Sequence, residues 1–143
     1  MAVINFNNYS ITKANYNEVD SFVKPQDNEI HIQSKFDFKI IDNDSESKTV
    51  VLWFNVEDSD NLPFRINVEI SGEFKYDKGQ DHNDSGFDGF RANALAILYP
   101  YLRNVVSQLT LLSNKFPSFI LPTVNMYAVV QKHDAAVGLT KEE

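Results

Sequence analysis

The sequence has no cysteine, which excludes disulfide frameworks, thiolate metal sites and a cysteine nucleophile. Glycine is scarce, five in 143 residues, and no GxSxG, GxGxxG or P-loop pattern occurs. The three histidines, His31, His82 and His133, have no partner at metal-ligand spacing, so no zinc site is expected. Positive charge is in deficit: 13 Lys and Arg stand against 20 Asp and Glu, a formal net charge of −7. A sequence-independent nucleic-acid binder needs a basic surface, so that class is set aside, whereas a basic partner would be attracted. Long hydrophobic runs are missing too. The longest, around Ala94–Tyr99, falls far short of a membrane span. The opening Met1-Ala2-Val3-Ile4-Asn5-Phe6 lacks a basic n-region and a long apolar h-region, so no signal peptide is expected and the chain reads as soluble and cytoplasmic.

What is abundant is aromatic surface. Eleven Phe, six Tyr and one Trp make up 13% of the chain, within a hydrophobic total of 43%. A chain of this length forms one domain with a limited interior. Some of these rings are therefore expected in a subunit interface or a binding groove.

Hydrophobic periodicity divides the chain in two. A first strand is expected within Ser10–Val19, in a polar, Asn-rich opening, and Pro25–Asn28 signals a turn. Ile30, Ile32, Phe36, Phe38 and Ile40 then alternate with polar residues, the period of a strand with one buried face. Lys48–Val56 is a third strand, with Val50, Leu52, Phe54 and Val56 on one face and Val51 and Trp53 on the other. After a loop at Asp58–Leu62, Phe64 to Tyr76 forms a fourth, in which Gly72 falls on the apolar face and suggests a bulge. Beyond the loop Asp77–Gly89 the period becomes helical. Leu95, Leu98, Leu102, Val105, Val106, Leu109 and Leu112 share one stripe over roughly Phe90–Ser113. Pro100 predicts a kink there, or a short helix followed by the main one. A connector Asn114–Pro122 leads to a last element near Asn125–His133, either a short helix or a strand, and residues 134–143 read as a mobile tail. Four consecutive strands followed by helices predict one α+β domain over residues 1–143, with an antiparallel sheet.

Three local features bear on function. Asp81-His82-Asn83-Asp84-Ser85-Gly86 resembles the start of an EF-hand loop, but position twelve is Ala92 instead of a bidentate carboxylate and a strand precedes it, so the loop reads as solvated and acidic. An enzyme built on this loop and a divalent metal lacks a complete ligand set. The connector carries Pro117, Phe119, Leu121 and Pro122, which either cover the core or wall a groove for extended apolar peptide. Trp53 with Val51 is read as buried in a subunit contact, because an exposed Trp on a sheet face is costly.

The helical region resembles a known family. Asn93-Ala94-Leu95-Ala96-Ile97-Leu98-Tyr99-Pro100-Tyr101-Leu102-Arg103, continued by Val105–Thr110, is similar to the opening of the long helix of SecB chaperones. Phe116-Pro117-Ser118-Phe119-Ile120-Leu121-Pro122-Thr123-Val124-Asn125-Met126 resembles the family's connector. The strand from Pro63-Phe64 to Ser71-Gly72 resembles the one preceding its helices. The resemblance implies a four-stranded antiparallel sheet with two helices on one side, and dimers pairing into a tetramer with the long helices between them. It further implies an ATP-independent, non-enzymatic holdase without cofactor, which binds unfolded or precursor polypeptides and passes them to SecA for export. On this reading Trp53, Phe54, Phe116, Pro117, Phe119 and Leu121 line the peptide groove, and Tyr101, Val105, Gln108, Leu109 and Leu112 form the oligomer contact. At the positions aligned with the family's SecA-facing residues stand Ala14, Glu18, Arg65 and Asn67. Of these, Glu18 alone is acidic, and electrostatic complementarity governs partner choice. The same fold could therefore serve one dedicated partner, such as an antitoxin, without SecA.

Overall fold

The computed structural model describes residues 2–20, 22–23, 32, 34–56, 62–114 and 117–141. Strands β1 (Ile4–Glu18), β2 (Ser34–Asp42), β3 (Ser47–Val56) and β4 (Phe64–Tyr76) form one sheet in the order β1-β4-β3-β2, antiparallel throughout. Helices α1 (Arg91–Leu111) and α2 (Met126–Lys141) follow. The α+β class and the antiparallel sheet are those the periodicity predicts. The turn at residues 25–28, Ile30, His31 and the loop at 57–61 lie outside the described residues.

β4 carries the core. Phe64, Ile66, Val68, Ile70 and Phe74 are buried on one face, while Arg65, Glu73 and Lys75 are exposed on the other. Val50, Leu52 and Phe54 of β3 extend the same face across the sheet, and Leu95, Leu98, Leu102 and Val106 of α1 pack against it. Each fully buried Leu, Ile or Phe contributes roughly 1.5–3 kcal/mol of transfer free energy, so this layer supplies the main stabilising term.

β1 starts at Ile4, six residues before the predicted Ser10. It pairs with the whole length of β4, from Ile4 opposite Tyr76 to Glu18 opposite Phe64, with register shifts between Phe6 and Asn8 and between Ile11 and Lys13. The bulges are therefore in β1, and β4 passes Gly72 without one. Gly72 serves a different purpose. A Cβ there would lie 2.6 Å from Leu98 Cδ2 and 3.0 Å from Phe74 Cε2. The missing side chain lets α1 settle onto the sheet.

α1 runs unbroken through Pro100. Proline removes the bond to the carbonyl of Ala96, and both Ala96 and Pro100 lie on the exposed side of the helix, where water can satisfy that carbonyl. The last element is a helix of sixteen residues, and residues 134–141, read from sequence as a tail, continue it. Met126 and Val130 bury its first turns. Arg91 and Asp134 then tie it to α1 through two bonds of 2.8 Å. The guanidinium holds the Asp134 carboxyl below the usual carboxylate range.

The acidic loop is built around Asp81, which is buried. Its carboxylate accepts a bond of 2.7 Å from the Tyr76 hydroxyl and one of 2.9 Å from the Gly86 amide. Among the described residues no group of three or more His, Asp or Glu is placed to hold a metal.

Candidate functional site

The connector after α1 turns back along that helix and is stitched to it by polar bonds. The Phe119 amide donates to Thr110 Oγ1 at 2.7 Å. Ser118 Oγ donates to the Ser107 carbonyl at 2.8 Å, and the Tyr99 hydroxyl donates to the Pro122 carbonyl. This path turns Leu121 into the core, where it is 1% exposed, and sets Phe119 half-buried against Phe64. Pro117, Pro122 and Ile120 face solvent. Phe116 lies outside the described residues.

Trp53 and Phe54 are adjacent on β3 and so point to opposite sheet faces. Phe54 is fully buried and packs on the Phe36 ring at 5.2 Å, leaving no surface for a ligand. Trp53 is half-buried on the outer face, in a shallow depression of about 330 Å³ shared with Lys13, Lys39, Asn67 and Glu69. Its neighbour Val51 is already buried within the chain, between Lys39 and Ser71 in the sheet register. A subunit contact is not required to cover Val51. The five described residues of the six proposed from sequence for one peptide groove are thus divided among core, connector and outer face.

A groove does exist elsewhere. It lies between β2 and α2, an open cleft of about 490 Å³ lined by Phe36 with Val129, Ala136 and Val137, and by Lys35, Asp37, Lys132 and His133. β2 is an edge strand among the described residues, so this cleft combines an apolar floor with the edge of the sheet. Phe36 was visible in the alternation of β2. The α2 wall was missed because Val129, His133, Ala136 and Val137 show their i, i+4, i+7, i+8 spacing only once the segment is known to be helical.

Along α1, Tyr101, Gln108 and Leu111 are exposed, and so is Leu112 just past its end. Val105 and Leu109 are half-buried against the core. Tyr101 stacks on Tyr9 of β1 with ring centroids 4.3 Å apart. The positions aligned with the family's SecA-facing residues are not brought onto one face. Ala14 and Glu18 pair with Val68 and Phe64, in phase with the core-facing residues, whereas Arg65 and Asn67 point outward beside Asn17 and Asn15.

The family model described as Preprotein translocase subunit SecB matches residues 7–136. The chain belongs to the SecB family. With that membership goes a chaperone-type function. Among solved structures, a SecB-like chaperone from Mycobacterium tuberculosis, in complex with a ChAD peptide from an antitoxin, shares the fold with a TM-score of 0.61 at 14% identity. The match covers 85% of this chain and 90% of that one. A protein of unknown function from Streptococcus agalactiae matches with a TM-score of 0.48 at 12% identity, over 84% of this chain and 97% of that one. No curated protein sequence matches significantly. Within the described residues, no helix of this SecB-family chain is long and apolar enough to cross a membrane.

Proposed function

We propose that this SecB-family chain is an ATP-independent holdase that binds extended segments of unfolded polypeptide in the groove between β2 and α2. The observation that carries this is the pairing of an apolar floor, Phe36, Val129 and Val137, with β2 as the edge strand among the described residues. An extended chain can be held there through its backbone and its alternate side chains together, without regard to sequence. No cofactor and no catalytic step are needed. The exposed α1 flank at Tyr101, Gln108 and Leu112 supports assembly into a dimer of dimers, which would set several grooves side by side.

A reading in which the chain serves one dedicated partner, such as an antitoxin, is favoured by the outer sheet face. There Arg65 and Asn67, beside Asn17 and Asn15, stand at two of the positions aligned with the family's SecA-facing residues, and neither is acidic. The Mycobacterium tuberculosis SecB-like chaperone, solved with an antitoxin peptide, sets a precedent on the same fold.

The deciding experiment dilutes a urea-denatured model protein into buffer with and without the chain and follows light scattering. Suppressed aggregation at near-stoichiometric ratio is expected, with Val137→Asp weakening it. Equal aggregation in both samples overturns the holdase reading. Capture from cell extract of one dominant partner in place of a spread of clients selects the dedicated form.

A further inference from the structure

β2 borders solvent, yet its edge is not uniformly open. In an antiparallel ladder alternate residues bond to the partner strand and the others direct their backbone groups away from it. The β2–β3 register is unbroken, and just beyond it the Asn43 amide bonds to the Ser47 carbonyl at 3.1 Å. Odd-numbered residues of β2 therefore face β3, while Ser34, Phe36, Phe38 and Ile40 present their amides and carbonyls at the edge. The Phe38 amide is already occupied. It donates to Oδ1 of its own neighbour, Asp37, at 2.8 Å. The same oxygen lies 2.9 Å from His133 Nδ1 on α2, and the His133 ring packs on the Phe38 ring with centroids 4.4 Å apart.

By strand alternation Asp37 belongs to the outer face, opposite Trp53. Its carboxylate nevertheless curls round the edge to cap its own strand, and a residue of α2 holds it there. A carboxylate is a stronger acceptor than a peptide carbonyl, so it competes effectively with any incoming strand at this position. An edge strand left bare is a template for unwanted pairing, and a charge placed across it is one way to blunt it.

We propose that Asp37 and His133 form a latch on the β2 edge, which an extended polypeptide must displace from the Phe38 amide before it can add as a fifth strand along the groove. This rests on the holdase reading and assigns its selectivity. A segment that gains several backbone bonds and fills the apolar floor offsets the lost carboxylate bond; a short or already folded segment does not. Lys35 and Lys132 line the same groove, so extended apolar segments with an adjacent carboxylate are the best-matched clients.

The test uses the full chain, a labelled decapeptide of alternating Val and Thr with an Asp at each end, and the same peptide N-methylated at alternate amides so that it cannot pair along an edge. Fluorescence anisotropy gives affinity, and amide exchange at Phe38 reports the latch. Asp37→Ala is expected to bind the unmethylated peptide roughly tenfold more tightly than wild type, about the worth of one charge-assisted bond. Methylation should abolish the gain. His133→Leu, which keeps the apolar wall while removing the tie, should show a smaller gain in the same direction. The Phe38 amide should exchange slowly in free wild type, quickly in free Asp37→Ala, and slowly again in that variant once peptide is bound. Equal affinity of wild type and both variants, or indifference to methylation, overturns the latch and leaves the groove reading standing. Absence of peptide binding to all three proteins overturns both.

Discussion

Asp81 is drawn out of solvent by a tyrosine, and the two groups perturb each other in opposite directions. The bond from the Tyr76 hydroxyl holds the Asp81 carboxyl below the usual carboxylate range, helped by backbone amides of the same loop. In return, the bond to Asp81 pushes the Tyr76 hydroxyl up from 10.0 to about 12. The carboxyl is more acidic folded than unfolded, so its contribution to stability is present at neutral pH and is lost as pH falls through its folded value. The phenol is less acidic folded than unfolded, so its contribution is whole below pH 10.0 and is lost as pH rises toward about 12. Chemical denaturation across pH should show both limbs, and Asp81→Asn should flatten the acid limb and shift the alkaline one toward ordinary tyrosine behaviour. A variant with unchanged limbs would show that the loop is held by other bonds. In the sequence this residue looked like the first ligand of a metal loop. The spacing could show the incomplete ligand set; it could not show that the oxygen was committed to a tyrosine five residues upstream.

At the scale of elements, legibility followed regularity. β4 alternates without interruption from Phe64 to Tyr76, and it was read at those bounds. β1 hides the same logic behind two bulges. Its residues in phase with the core-facing side of β4 are Ile4, Phe6, Tyr9, Ile11, Ala14, Tyr16 and Glu18, an uneven series that no period-2 template detects. The bulges sit on the polar edge strand, while the glycine that suggested one marks a close approach instead. Gly72→Ala should therefore destabilise the fold by about 1–3 kcal/mol through overpacking, as measured by urea titration. Leu98→Ala alone should cost about 2–5 kcal/mol. Because the added methyl would enter the space that Leu98 fills, the double variant should cost less than the two together by more than about 0.5 kcal/mol. Strict additivity would place the strain elsewhere.

For the molecule as a whole, aromatic excess was a poor guide to which rings reach the surface. Phe54 and Leu121 are core, Trp53 belongs to the outer face, and the β2–α2 cleft takes its floor from Phe36 and aliphatic residues of a helix that the sequence left undecided. Composition cannot resolve this, because sheet packing alone decides which of two neighbouring rings is turned inward. Leu111 and Leu112, 64% and 76% exposed, end α1 in an apolar pair that the single chain leaves in water. If the α1 flank is the assembly surface, light scattering after size exclusion should give about four times 16.3 kDa, and Leu112→Asp should lower that mass. An unchanged mass in the variant would move the contact away from this end of the helix.

The stitching of the connector to α1 has a consequence for how the protein breathes. The Phe119 proton is donated to a threonine hydroxyl on a helix nine residues earlier, so it can exchange with solvent when that one stretch lifts, while the sheet stays intact. Its exchange rate therefore measures a local opening distinct from global unfolding. Thr110→Val, isosteric but unable to accept that bond, should speed exchange at Phe119 while the Ser118–Ser107 and Tyr99–Pro122 bonds still hold the connector to α1.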